Sequence, residues 1–130
     1  HIDAGSDAFL MTSLFEPCGL NQMYSMRYGA VPIVRRGGGL ADTVVDVSPA
    51  SREQQRATGF VFEPYTAEAL LEAVTRAVAG YQDHGLWEQL MRAGMRRDFS
   101  WDRSAQEYAT IYERAHTAHD RQRHAQSLAR

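Results

Sequence analysis

Two short apolar runs, Ala8-Phe9-Leu10-Met11 and Ala30-Val31-Pro32-Ile33-Val34, bracket a helical stretch that closes at Gly29. This spacing constrains the fold more than any other feature of the chain. The runs are continuous rather than alternating, as expected of strands covered on both faces. Leu20 to Tyr28 reads as the helix between them, with Leu20, Met23, Tyr24 and Arg27 on one stripe and Gly29 just past its end. The spacing is that of a strand–helix–strand unit, which places the strands parallel with a right-handed crossover. The first strand is expected within Asp7 to Ser13. Pro32 lacks an N–H, so it belongs near the start of the second.

The joint between the first strand and the helix is Thr12-Ser13-Leu14-Phe15-Glu16-Pro17-Cys18-Gly19. In open parallel sheets, ligands bind outside the carboxyl ends of the strands. Backbone N–H groups at a helix start are unpaired and favour anions. Glu16 therefore stands where an anionic ligand and a reacting carbon could meet. It reads equally as a loop acid stabilised by the helix dipole.

The second strand runs into Arg35-Arg36-Gly37-Gly38-Gly39-Leu40. The glycines permit positive φ and close approach of backbone to a ligand, or simply a flexible loop. The spacing matches neither a Walker nor a dinucleotide fingerprint. Ala41 to Asp46 reads as a short helix or a turn, and Ser48 to Thr58 as an exposed polar loop. Gly59 to Glu63 is a third short strand. Thr66 caps the helix after it, with Glu68 in the first turn and Leu70, Leu71, Val74, Val78 and Tyr81 as its apolar stripe. A further helix spans about Leu86 to Arg97 with Trp87, Leu90 and Met91 on one face. Ser100 caps another carrying Trp101, Ala105, Tyr108, Ile111 and Tyr112, and the pattern turns polar beyond Arg114. With three parallel strands, the Glu16 loop, the Arg35–Gly39 loop and Glu63–Thr66 are expected along one sheet edge.

Bulk properties exclude several classes. Lys plus Arg number 14 and Asp plus Glu 16, giving a net charge of −2, so no basic excess argues for nucleic acid. No apolar run approaches a membrane span, and no signal peptide is visible. The single cysteine, Cys18, excludes an internal disulfide and fits a reducing compartment. The chain begins at His1 rather than Met and reads as a piece of a larger protein.

Glu16-Pro17-Cys18-Gly19-Leu20-Asn21-Gln22, Tyr28-Gly29 and Arg35-Arg36-x-Gly38-Gly39-Leu40-Ala41-Asp42-Thr43-Val44 together strongly resemble bacterial glycogen synthase and plant starch synthase. Gly59-Phe60-Val61-Phe62 and Asp98-Phe99-Ser100-Trp101 match the same family further on, in order and at compatible spacing. The resemblance implies a retaining glucosyltransferase of the GT-B fold, built from two Rossmann-like domains. It would move glucose from an ADP-glucose donor to the non-reducing end of an α-1,4-glucan acceptor. The compartment would be cytoplasmic, or plastid in a plant. This chain then corresponds to the latter half of the C-terminal domain, an α/β doubly wound Rossmann-like unit with parallel strands followed by C-terminal helices. Residues 1–82 would be a partial nucleotide-sugar-binding domain, 83–115 closing helices, and 116–130 a polar, frayed or disordered tail.

The resemblance also assigns roles. Glu16 matches the carboxylate beside the donor glucose, a catalytic position where it can stabilise developing positive charge. The N–H groups of Cys18 and Gly19 match those reaching glucose hydroxyls, and those of Leu20 and Asn21 match the helix start at the distal phosphate. Asn21 departs from the usual Thr. Tyr24 stands where many related transferases carry a second Glu, as in the glycogen synthase branch. The family's phosphate-binding Arg and Lys, and its N-terminal domain, correspond to sequence before His1, and Arg35 and Arg36 are not expected to replace them. Without those parts the segment is expected to be inactive alone and to self-associate through uncovered core. A UDP-glucose-dependent transferase and a non-catalytic nucleotide-binding or interaction module are the alternatives. No cofactor is implied and no metal site is expected, although His116 and His119, with His124 and Asp120 nearby, have helical spacing. Cys18 reads as a small, partly buried residue rather than a nucleophile, and Trp87 and Trp101 as core.

Overall fold

A computed structural model describes the backbone of residues 2–128, and the side chains within that range except those of 120 and 122–128. His1, His124 and the side chain of Asp120 lie outside the described residues. The chain forms two compact units, residues 1–97 and 98–130.

The first unit is a three-stranded parallel sheet in the order β1-β2-β3. β1 is Ala8–Met11, β2 Val31–Arg35 and β3 Phe60–Phe62. Ala8 pairs with Val31 and Met11 with Val34, while Ile33 pairs with Phe60 and Arg35 with Phe62. The helices are α1 (Asn21–Tyr28), α2 (Gly38–Thr43), α3 (Pro49–Glu53), α4 (Ala67–Gln82) and α5 (His84–Met95).

Strand side chains alternate between faces, and the core divides accordingly. Val31, Ile33, Phe60 and Phe62 pack with Ala73, Ala77, Leu86, Trp87 and Leu90 of α4 and α5. Met11, Val34 and Val61 pack on the other face with Met26, Leu40 and Val44. Helices thus cover both faces of a parallel sheet, the doubly wound arrangement expected.

Three packing expectations fail for identifiable reasons. The stripe expected on α1 is outward: Leu20 and Tyr24 are exposed, and the buried face is Gln22, Ser25 and Met26. Ser25 Oγ donates to Asn21 O at 2.7 Å, so a polar residue is buried with its hydroxyl partnered. On α4, Leu71 and Val78 are 66% and 56% exposed, and Ala73, Ala77 and Gly80 face the sheet. A Cβ on Gly80 would come within 2.9 Å of Phe60 Cζ, so close approach of α4 requires small residues. β1 is one of the two edge strands of the described sheet, and Leu10 is 50% exposed despite its apolar run. Beside it an apolar cavity of about 340 Å³ opens between Ala8, Ile33, Val74, Val78, Tyr81 and Trp87.

Ser48 to Thr58 is not an open loop. Ser48 and Ser51 form a reciprocal cap on α3, with Pro49 at its first turn, and Ser51, Ala57 and Thr58 are buried. Gly29 ends α1 at φ +88° with its N–H on Ser25 O and Met26 O, as its position predicts. Thr66 accepts the Ala69 N–H at 3.2 Å, as expected of the α4 cap. Asp83 caps α5 by accepting the Leu86 N–H at 3.1 Å, which starts that helix two residues before the expected Leu86.

The second unit consists of residues 98–100 and α6 (Trp101–Leu128). Ser100 Oγ accepts the Arg103 N–H at 3.5 Å. Trp87 packs in the core as expected, edge-on to Tyr81 with ring centroids 5.1 Å apart, whereas Trp101 is 84% exposed.

Candidate functional site

All three loops that follow strand ends meet along one edge. The Arg36 N–H donates to Phe62 O at 2.7 Å, and Arg36 Nε pairs with Glu63 Oε1 at 2.7 Å on the surface. Arg35 ties the set together: its Nη1 donates to Leu14 O in the Glu16 loop, while its guanidinium sits 5.4 Å from the Tyr65 ring centroid. Both arginines are thus engaged by the loops themselves. A cavity of about 230 Å³ opens on the same edge, lined by Thr12, Phe62, Tyr65, Thr66 and Leu70.

The glycines of the second loop do permit positive φ, at Gly38, and close approach of backbone, here to the Glu16 loop. Gly38 and Gly39 open α2 and press their backbone against the Glu16 loop. The Gly39 N–H is shared between Glu16 O and Pro17 O, each at 3.1 Å. A Cβ on Gly38, which has φ +46°, would meet the Glu16 carbonyl with its carbon at 2.9 Å. One on Gly39 would meet the Cys18 carbonyl with its carbon at 2.6 Å. Real Cβ atoms essentially never come within 3.0 Å of another heavy atom. The two glycines therefore clamp the acid-bearing loop through its backbone.

Gln22 clamps it from the side. Its Nε2 donates to Gly19 O at 3.0 Å, Thr43 Oγ1 at 3.2 Å and Cys18 O at 3.3 Å. Thr43 in turn donates to Gly39 O at 2.7 Å. These four residues escape a search for reactive groups. The only sequence signal for Gln22 is a polar residue on what proves to be the inward face of α1.

Held in this frame, Glu16 is half-buried and its carboxylate touches only its own loop, where Ser13 Oγ donates to Oε2 at 3.5 Å. Among the described residues no cation pairs with it. Cys18 is an exposed free thiol, rather than the partly buried residue expected. Gly19 turns the chain at φ +67°, and Leu20 and Asn21 are exposed at the start of α1. Among the described residues the N–H groups of Cys18, Gly19, Leu20 and Asn21 have no protein acceptor, and no side chain caps α1. One loop thus presents an uncompensated carboxylate and, from two residues on, a run of open amides with the positive end of a helix dipole behind them. Such a surface can bind hydroxyls and an anion at neighbouring spots. No group of three or more His, Cys, Asp or Glu among the described residues is placed to hold a metal ion.

Residues 2–92 match the protein family of glycosyl transferases group 1. The chain belongs to this family. It is 57% identical over 111 residues to a glycogen synthase of Thioalkalivibrio sulfidiphilus, covering 85% of the chain and 23% of that protein. It is also 57% identical over 114 residues to glycogen synthase 2 of Geobacter sulfurreducens, again covering 23% of the relative. A solved structure of the catalytic domain of starch synthase IV from Arabidopsis thaliana, bound to ADP and acarbose, superimposes with a TM-score of 0.77 at 42% identity. The overlap takes in 87% of this chain and 23% of that one. Sucrose-phosphate synthase from Thermosynechococcus elongatus gives a TM-score of 0.63 at 26% identity, covering 90% and 27%. The chain spans about a quarter of the length of the relatives it matches. This glycosyl transferase segment is thus a partial one, with the parallel strands and covering helices of the GT-B neighbour followed by C-terminal helices.

Proposed function

We propose that this chain is the C-terminal part of a glycogen or starch synthase that transfers glucose from ADP-glucose to the non-reducing end of an α-1,4-glucan with retention. The observation that carries the reading is the clamped Glu16 loop with its open amides, in a chain over half identical to glycogen synthases. In this reading Glu16 faces the donor glucose and stabilises positive charge at the anomeric carbon as the bond to phosphate breaks. The amides of Cys18 and Gly19 hold sugar hydroxyls, and those of Leu20 and Asn21 take the distal phosphate at the α1 start. The Asn21 contact is through its backbone, so the departure from Thr costs little. Residues 1–82 supply this half of the donor site, and the missing half comes from other parts of the same enzyme, acting in the cytoplasm or, in a plant, the plastid.

An ADP donor is supported by the ADP bound in the starch synthase neighbour. The likeness to sucrose-phosphate synthase keeps a UDP-glucose donor as the second reading. Radiolabelled glucose incorporation by the full-length enzyme separates them. The account expects label from ADP-glucose to reach glucan, with UDP-glucose competing poorly. Preferential use of UDP-glucose would overturn the donor assignment, and no transfer to glucan would overturn the function. The isolated chain is expected to transfer nothing, because the main countercharges for the phosphates lie outside it.

A further inference from the structure

The sheet edge opposite the Glu16 loop carries a hollow of different character. A cavity of about 200 Å³ lies between the turn that follows α3 and the last turns of α5. Gln55, Arg56, Thr58, Gln89, Arg96 and Arg97 line it. No carboxylate lines it. The acid that caps α5 and the one within it are paired: Asp83 with Arg52 at 3.6 Å and Glu88 with Arg92 at 2.6 Å. Among the described residues neither Arg56 nor Arg96 has a carboxylate partner. Arg96 Nε donates to the Arg92 carbonyl at 3.2 Å.

The backbone fixes this arrangement. Gln55 takes φ +52°, alone among the described non-glycine residues in the left-handed region. The Arg56 N–H then donates to Ser51 O at 2.9 Å, which sets where the arginine leaves the turn. Gln89 reaches across from α5, donating Nε2 to Arg52 O at 2.9 Å. The hydrogen bond that joins the two walls, Gln89 to Arg52 O, thus uses neither the Arg56 nor the Arg96 guanidinium.

The Arg56 and Arg96 guanidinium groups, lining one cavity without a carboxylate partner, repel one another, and the carbonyl end of α5 offsets only part of that. A compact anion removes the repulsion. Guanidinium forks match phosphate oxygens two at a time, which a point charge does not. Pockets for drug-sized ligands run to roughly 300–1,000 Å³, so this smaller hollow suits one phosphate group with at most a small organic part. We infer that this cavity is a binding site for a phosphate-class anion, inorganic phosphate or the phosphate end of a small monoester, held chiefly by Arg56 and Arg96. It stands apart from the transfer site, at the other ends of the strands.

The test is calorimetric titration of the 130-residue chain with inorganic phosphate at low ionic strength. One saturable site is expected, with Kd of about 1 mM or tighter. The double variant Arg56→Ala/Arg96→Ala should bind about tenfold or more weakly, and Arg56→Lys/Arg96→Lys should fall between, keeping charge but losing the forks. Arg103→Ala, on α6, should leave binding unchanged. Far-ultraviolet circular dichroism establishes that the variants are folded. Lack of saturation to about 10 mM overturns the inference. So does undiminished affinity in the Arg56/Arg96 double variant, as when phosphate sits at the start of α1 instead. Tighter binding of a sugar monophosphate than of free phosphate supports the site with the ester as its occupant, and equal affinity supports it with the free ion.

Discussion

Gly39→Ala is the most informative single change to the frame of the site. The new methyl would lie 2.6 Å from the Cys18 carbonyl carbon and closer still to its oxygen, where real Cβ contacts stay beyond 3.0 Å. Both partners are backbone, so no side chain can swing away. The Glu16–Cys18 loop, or α2, has to move by about 1 Å, and a misplacement of that size at a reacting centre can cost about a hundredfold in rate. Overpacking of this kind also destabilises by about 1–3 kcal/mol. The adjacent Gly37 provides the control. Its φ of −169° suits any residue, and an added Cβ would meet only Arg35 Nη1 at an ordinary 3.5 Å. In the full-length enzyme, Gly39→Ala should lose about a hundredfold in kcat for glucan synthesis and melt earlier. Gly37→Ala should match wild type in both. Equal kcat and equal melting for the two variants would refute the clamp.

Three further outcomes follow from the same geometry. Gln22→Ala leaves the carbonyls of Cys18 and Gly19 and the Thr43 hydroxyl without their buried donor, and should lower unfolding free energy by about 2–3 kcal/mol; an unchanged urea midpoint would contradict this. Asp98 has its pKa lowered, first by the Ser100 N–H, then by the Ser100 hydroxyl, with Arg103 adding to the effect. Its folded form thus favours the ionised carboxylate, so its contribution is full above the usual carboxylate pKa and is lost as pH falls through the lowered value. Acid titration of helicity should therefore flatten in Asp98→Asn, and identical profiles would count against the cap. The apolar hollow between Ala8, Ile33, Val78, Tyr81 and Trp87 should make the isolated chain self-associate. Light scattering that shows a clean monomer would oppose it.

Much of the frame was legible because local chemistry decided it. Gly29 ends α1 at a positive φ, Thr66 caps α4, and parallel strands bring their following loops to one edge. The α3 turn was missed, because its polar composition reads as loop, although Ser48-Pro49 is the signature of a capped helix start. The buried faces of α1 and α4 were not legible. An apolar-stripe rule cannot see Gln22 Nε2 or the Ser25 hydroxyl finding partners inside, nor Gly80 lying close to Phe60. The site divides in the same way. Glu16 stands out because a strand, an acid and a helix start fall in sequence, whereas Gly38 and Gly39 answer to carbonyls some twenty residues earlier, a contact that no local pattern encodes.

The proposed role of the Glu16 carboxylate is to meet charge developing on the donor sugar. Glu16→Gln keeps size and polarity, and the loop is held by backbone contacts that the change does not touch. Glucan synthesis by the full-length enzyme carrying this substitution measures the claim directly. The expected result is a fall in kcat of about 10²–10³-fold with an unaltered melting temperature. Turnover within a small factor of wild type, in a variant that folds normally, would remove Glu16 from the reaction.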